Sequence, residues 1–379
     1  MPAASAAPTC RLTRRRLLKS AAALAALAPA AAVHAAPSSR PTVVQLLDMS
    51  VQQQEVSRSY AAGFRAAWAE AGTPGVTLLP VEVNGGAGTP LSLDAAMQQL
   101  RREPNVLALA GTAGEQLSLD CIDWCRQQRL EIAHVAPWLA DSRHDGHAGL
   151  LPLFASRDAQ LQRAIEALAV VGHRNLQVVY PSRLEEMRYA PGMRELASRM
   201  KLQLVEQTGR PGEDAAALGA RLPAEGPAMV LFVGGTLELV GFAQQLQARR
   251  LTRYLICLAD VDLSVVQQLG FGGAGKVSLI LTQVVPDPAS ALPVVLRYRQ
   301  SLHRLFEEEP SPISLAGYLA GRYTLSLLQR APARATLLAA AQERPPAALD
   351  GFEVAFRNSP RGSQRVSHAL LTPEGRLLR

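Results

Sequence analysis

Residues 106–140 read VLALAGTAGEQLSLDCIDWCRQQRLEIAHVAPWLA. The opening run, Val106–Ala110, is apolar without interruption, as in a strand buried on both faces. Gly111-Thr112-Ala113-Gly114 follows as a small flexible turn. Leu117, Cys121, Trp124, Cys125 and Gln128 then recur at three- and four-residue spacing, which is the stripe of an amphipathic helix. Residues 131–135 return as a short strand that Ala136-Pro137-Trp138 ends. Strand, helix and strand within about 30 residues make a βαβ unit with parallel strands. Ligands of such sheets sit at the carboxyl ends of the strands, so function is expected in the loops at 111–115 and 136–140.

The alternation extends outward from this unit. Upstream, 42–47 is an apolar strand, and Val56, Tyr60, Phe64 and Trp68 step by four along a helix that stops at Gly72. Residues 76–83 alternate as a strand ahead of Gly85-Gly86-Ala87-Gly88, and Leu93, Ala96, Met97 and Leu100 mark another helix. Residues 42–135 thus read β-α-β-α-β-α-β, a doubly wound half. After a polar break at 144–149 the rhythm restarts, with helices expected at 158–171, 191–200 and 237–249. Its strands are expected at 176–180, 202–206, 229–233 and 254–258. Beyond a strand at 277–284, Pro286-Asp287-Pro288 reads as a crossover, and helices follow at 291–306 and 312–330, the second with proline at its first position. Residues 352–356 and 366–371 read as a closing strand pair, joined by the turn residues of 358–362. A chain of 379 residues is long for one core, and two domains are expected.

The net charge of +7 is concentrated at one end. Residues 1–35 hold Arg11, Arg14, Arg15, Arg16 and Lys19 and no acid, so the remainder carries 34 basic against 32 acidic groups, or +2. Nothing in that balance calls for nucleic acid. Thr13-Arg14-Arg15-Arg16-Leu17-Leu18-Lys19 precedes an alanine- and leucine-rich run ending at Val33-His34-Ala35. A charged start, a weak apolar stretch and a small-residue site read as an export signal of twin-arginine type, cut after Ala35. The uncharged run 20–33 is shorter than the ~20 residues a membrane span needs. The product is expected to be soluble, periplasmic and monomeric. Cys121, Cys125 and Cys257 remain after cleavage. An odd number cannot pair completely, and Cys121 and Cys125 fit burial on the helix's apolar face better than a disulfide or a metal pair.

Gly270-Phe271-Gly272-Gly273-Ala274-Gly275 matches a dinucleotide-binding pattern by letter. That pattern needs a strand before it and a helix after it, and here the order is reversed. Asp141-Ser142-Arg143-His144-Asp145-Gly146-His147 could hold a metal, with a solvated loop as the blander account. No nucleophile elbow and no H-E-x-x-H is present. No group of residues assembles a base, a nucleophile and an oxyanion hole. An enzyme is not expected, and neither a cofactor nor a metal is implied. Small-molecule binding suits the chain better, since helix N-termini beside small-residue loops offer backbone N–H groups. Trp138 and Tyr189 fall at loop positions where a ring encloses a ligand or joins the core. Asp260, after a strand, answers a ligand cation or caps a helix.

The order of segments resembles the type I periplasmic solute-binding proteins of ABC importers, in the branched-chain amino-acid-binding class. The strings that carry the resemblance are Met49-Ser50, Ala62-Gly63-Phe64, Ala69-Glu70-Ala71-Gly72, Ala110-Gly111-Thr112, Ala136-Pro137, Tyr189 and Leu315-Ala316-Gly317-Tyr318-Leu319-Ala320. The closing segment 352–371 resembles the family's last strand pair. The resemblance implies an α/β fold of two doubly wound lobes joined by three crossovers, near 151–156, 282–288 and 340–349, with the ligand between them. Lobe 1 would take 41–153 and 286–345, and lobe 2 would take 154–283 and 346–379. By the same resemblance Ser50, Thr112, Gly114, Glu115, Trp138, Ala140, Tyr189, Gly235, Thr236 and Asp260 line the cleft. The implied partners are a small-molecule ligand, the permease subunits and the twin-arginine machinery. A periplasmic sensor read by a membrane receptor or kinase is the alternative role. The chain departs from the family at Ser50-Val51, Ala113-Gly114-Glu115, Trp138 and Ala140, where hydroxyls that grip an α-carboxylate are partly missing and Glu115 disfavours an anion. The expected solute is small and polar or aromatic: amino-acid-like, an amide or a relative of these.

Overall fold

The computed structural model describes residues 40–378 apart from 73–74, 85–91, 171, 173, 270 and 272–275. The basic N-terminal segment with its cleavage site, the 85–88 loop and most of the 270–275 glycine motif lie outside the described residues.

Lobe 1 begins with β1 (Thr42–Asp48), α1 (Gln54–Glu70), β2 (Thr77–Val83), α2 (Leu93–Arg102), β3 (Val106–Ala110), α3 (Glu115–Gln127), β4 (Ala133–Val135) and β5 (Leu150–Leu151). Its strands form one parallel sheet in the order β2-β1-β3-β4-β5. Every residue of β1 and β3 is buried, whereas the edge strand β2 is largely exposed. Unbroken apolar runs therefore occupy the middle of the sheet. Lobe 2 continues with α4 (Arg157–Val170), β6 (Asn175–Tyr180), α5 (Arg183–Arg199), β7 (Gln203–Thr208), α6 (Ala215–Ala220), β8 (Met229–Phe232), α7 (Thr236–Ala248), β9 (Arg253–Cys257), α8 (Leu263–Gln268) and β10 (Val277–Gln283). The chain then returns through α9 (Pro293–Leu305), α10 (Pro312–Arg330), α11 (Arg334–Glu343), β11 (Ala347–Leu349) and β12 (Phe352–Val354), and ends in β13 (Ser367–Leu371) and β14 (Leu377–Leu378). The second sheet runs β14-β13-β10-β9-β8-β6-β7, parallel from β6 to β10 with β13 and β14 antiparallel at one edge. Both lobes are doubly wound α/β units.

One face of the first sheet packs on α1, α9 and α10 through Tyr60, Phe64, Tyr298 and Tyr318, and the other on α2 and α3 through Met97, Leu117 and Cys121. Helices α1 and α10 touch backbone to backbone. A Cβ at Gly63 would lie 1.7 Å from the Ser314 carbonyl oxygen, and one at Gly317 would lie 1.9 Å from that of Tyr60. In lobe 2, α6 to α8 cover one face and α4 with α5 the other.

Three corrections to the sequence reading follow. Residues 352–356 and 366–371 do not pair. β12 pairs with β11, while β13 joins β10. Leu349, Phe352 and Val354 pack into the lobe 1 core, so residues 346–354 sit with lobe 1 and the third crossing lies at 355–366 instead of 340–349. Helix α5 begins at Arg183, capped by Ser182, and carries Pro191 inside it. Tyr189 therefore lies on a helix, not in a loop. The other two crossings occupy 152–156 and 284–292. Arg361, 1% exposed, ties the third crossing to the first and to the 139–145 loop of lobe 1. Its guanidinium donates to the carbonyls of Leu139 (2.7 Å), Phe154 (3.0 Å) and Asp141 (2.6 Å) and to Asp145 Oδ2 (2.8 Å).

Candidate functional site

The loop after β3 turns at Gly114, whose φ of 114° suits glycine, and a Cβ there would lie 2.6 Å from Asp48 Cβ. This close turn sets Glu115 at the start of α3, on the lobe 1 wall of the cleft. Opposite, α4 opens with Arg157, whose backbone N–H donates to Ala140 O at 2.8 Å. Arg157 Nη2 donates to Glu115 Oε2 at 2.6 Å and to Asp260 Oδ2 at 2.7 Å, so a lobe 2 guanidinium joins a carboxylate from each lobe. Burial works against the Arg157 charge, but Asp260 and Glu115 outweigh it and hold its pKa above the ordinary value. Tyr189 lies under two cations, with Arg157 5.1 Å and Arg188 5.3 Å from its ring centre. Burial pushes its hydroxyl up to about 12. Arg188 also crosses to lobe 1 and pairs with Asp141.

These groups surround a cavity of about 210 Å³ between the lobes. Gln52, Gln53 and Glu115 line it from lobe 1, and Arg157, Arg188, Tyr189, the 233–238 turn and Asp260 line it from lobe 2. Its volume lies below the ~300–1,000 Å³ of drug-sized pockets, so it suits a small solute.

Of the residues singled out in the sequence, Glu115, Tyr189, Gly235, Thr236 and Asp260 line this cavity. Thr236 Oγ1 also accepts from the Asp262 N–H at 2.9 Å. Trp138 is 8% exposed and packs 5.4 Å from Tyr60 and 5.9 Å from Phe154, ring centre to ring centre. It reaches two small voids of about 20 and 10 Å³ on the hinge side, the second shared with Ala140. Ser50, Thr112 and Gly114 stand away from the cavity wall. Ser50 opens the turn that leads into α1, its carbonyl accepting from the N–H groups of Gln53 and Gln54. Thr112 is fully buried, its hydroxyl 2.9 Å from His134 Nε2. Gly114 is buried beneath Glu115 and accepts from Ser118.

Sequence reasoning missed Arg157 and Arg188. Arg157 had a local signal, because a cation at a helix N-terminus opposes the helix dipole and so implies nearby carboxylates. Among the described residues no group of three His, Cys, Asp or Glu side chains is placed to hold a metal ion. Asp141 and Asp145 of the 141–147 loop are engaged by Arg143, Arg188 and Arg361. Cys121, Cys125 and Cys257 are free thiols; Cys121 is fully buried with its sulfur 3.9 Å from that of Met97.

A sequence profile of the periplasmic binding protein family matches residues 42–370. A substrate-binding periplasmic protein from Ralstonia solanacearum superposes with a TM-score of 0.75 at 19% identity, covering 89% of this chain and 99% of that one. A possible leucine/isoleucine/valine-binding protein from Rhodopirellula baltica SH 1 gives 0.73 at 19% identity over 89% and 96%. The branched-chain amino acid transporter substrate-binding protein of Streptococcus pneumoniae, solved with isoleucine, gives 0.72 at 12% identity over 90% and 98%. No curated protein matches the chain in sequence. With two doubly wound lobes, three crossings and a polar cavity between them, the chain belongs to the periplasmic binding protein family, and it shares its fold with the leucine/isoleucine/valine-binding neighbour and the isoleucine-bound transporter protein.

Proposed function

We propose that this chain is an exported solute-binding protein of an ABC importer, which closes on a small polar solute and delivers it to the permease. The cavity between the lobes carries this reading. Residues from both lobes converge on it, so a solute held there joins the lobes and favours their closed arrangement. Family membership supports solute capture, and the basic segment at 11–19 supports export.

Ligand stabilisation tests the reading. A solute at a hundredfold excess over its Kd stabilises the native state by about 2.7 kcal/mol. With ~2.1 cal/mol/K of unfolding entropy per residue, a chain of roughly 344 residues rises in Tm by about 4 °C. A thermal-shift screen of amino acids, amides, amines, aromatic acids and polyols, followed by small-angle scattering of each hit, is expected to yield a solute that both raises Tm and compacts the protein. A screen with no stabilising solute, together with normal uptake of every candidate in a strain lacking the protein, refutes the assignment. Replacing Arg14 and Arg15 by lysine is expected to leave precursor in the cytoplasm, since lysine keeps the charge without the guanidinium fork. Normal export of the double variant refutes the twin-arginine route.

A further inference from the structure

The charge in the cleft narrows the solute class, given that the cleft is the solute site. Four carboxylates line it, Glu115, Glu185, Glu238 and Asp260, against two guanidiniums, Arg157 and Arg188, for a formal balance of −2. Two of the acids are engaged at their own helix starts. Glu238 Oε2 accepts from Gly235 N at 2.8 Å, and Glu185 is bonded to the Ser182 hydroxyl. The other two hold spare acceptors. Glu115 Oε1 and Asp260 Oδ1 are buried without a hydrogen-bond partner, although their second oxygens bind Arg157. Arg157 itself is 6% exposed, and its Nε is also buried without a partner. Unsatisfied buried polar atoms are costly, and here two acceptors and one donor belong to neighbouring groups that line the cavity from both lobes.

We propose that the cleft selects a small protonated amine that carries a carbonyl or hydroxyl oxygen beside the amine and bears no carboxylate. Its ammonium donates to Glu115 Oε1 and Asp260 Oδ1, and its oxygen accepts from Arg157 Nε. Two carboxylates around one guanidinium leave a net charge of −1, which the ligand's single positive charge neutralises. A neutral solute leaves that charge unbalanced. An amino acid's carboxylate meets a guanidinium already held by two carboxylates at 2.6 and 2.7 Å, so it gains little from Arg157 and is repelled by the remaining acids. Because Glu115 belongs to lobe 1 and Asp260 to lobe 2, the same ammonium joins the lobes. Leu184 and Val233 offer apolar contact to a short side chain.

Isothermal titration of the wild-type protein with three molecules of one shape separates the cases: valinamide as the cation with an acceptor, valine as the zwitterion, and isovaleramide as the neutral amide. Measured slightly below neutral pH, valinamide is expected to bind at least about tenfold tighter than either of the others, and to weaken as salt rises. Glu115→Gln and Asp260→Asn are each expected to reduce valinamide affinity about tenfold or more while affecting isovaleramide little. The ligand-free Tm of each variant shows whether it is folded. Valine binding as tightly as valinamide, or isovaleramide doing so, overturns the proposal. If none of the three binds while another solute from the screen closes the cleft, the cation assignment falls and solute capture stands.

Discussion

The contact between α1 and α10 makes a strong test of the packing argument. In a helix, Gly→Ala ordinarily stabilises by up to ~1 kcal/mol, because glycine loses more backbone entropy on folding. At Gly63 the new methyl would sit 1.7 Å from the Ser314 carbonyl oxygen, 2.6 Å from its carbon and 2.8 Å from the Tyr318 nitrogen. All three are backbone atoms, so no side chain can rotate away. Reaching an ordinary contact of ~3.5 Å from 1.7 Å requires the helices to part by roughly 1.8 Å. A gap of 0.5–1 Å already forfeits about a quarter to a half of a dispersion contact, and this seam holds Tyr60, Phe64 and Tyr318, all fully buried. Overpacking ordinarily costs ~1–3 kcal/mol, and this case belongs at or beyond the upper end.

Gly63→Ala is therefore expected to lose about 3 kcal/mol or more after the propensity gain. For roughly 340 residues unfolding with about 0.7 kcal/mol per degree, Tm falls by about 4 °C or more. Gly192→Ala is the matched control. It lies in α5, exposed, with nothing within 4 Å of an added Cβ. There the same substitution is expected to raise Tm by up to about 1 °C. Calorimetry on both variants without ligand reads the difference directly. A Gly63→Ala protein melting within 1 °C of wild type would show that α10 shifts at little cost and would refute the reasoning.

Arg361→Met leaves three carbonyls and Asp145 without their buried partner, so urea denaturation is expected to show a loss of about 3–5 kcal/mol. Arg365→Met, at an exposed site on the same crossing, should change stability by less than about 0.5 kcal/mol. Trp138→Ala removes a ring packed between Tyr60 and Phe154 and is expected to cost about 3–5 kcal/mol in ligand-free stability; an unchanged ligand-free Tm would mark the ring as a ligand contact only. Burial pushes His134 down to about 3, so folding favours its neutral form. That contribution is complete above the unfolded pKa of ~6.5 and is lost as pH falls from there toward 3; His134→Asn should flatten the stability–pH curve over that window, and an unaltered slope would assign it to other groups.

The fold was legible wherever pattern and local chemistry agreed. β1 and β3 announced themselves as unbroken apolar runs, and α10 as an apolar stretch opening on a first-turn proline, Pro312. Pro191 misled because proline is common at a helix start, yet here its ring projects from the exposed side of α5. The last crossing was illegible for a different reason. Short apolar segments on either side of a turn-rich linker look the same whether or not they pair. What separates β12 from β13 is Arg361, whose partners at Leu139, Asp141, Asp145 and Phe154 lie more than 200 residues earlier in the chain. A buried arginine inside a turn sequence resembles a solvated one until the fold is assembled.

The cavity divides in the same manner. Glu115, Gly235, Thr236 and Asp260 follow strands directly, and the carboxyl-end rule finds such positions from sequence alone. The rule locates a loop without saying which of its residues faces the ligand. Thr112 turns inward to His134, while Glu115, three residues later, turns outward because Gly114 lets α3 start against Asp48. Arg157 and Arg188 come from helices and reach the cleft only because the two lobes meet there. Arg157 opens α4 against the helix dipole, at a position better suited to an acid. That misfit is removed once Glu115 and Asp260 are placed around it. The residue least at home in its own helix is thus the one that joins the two lobes.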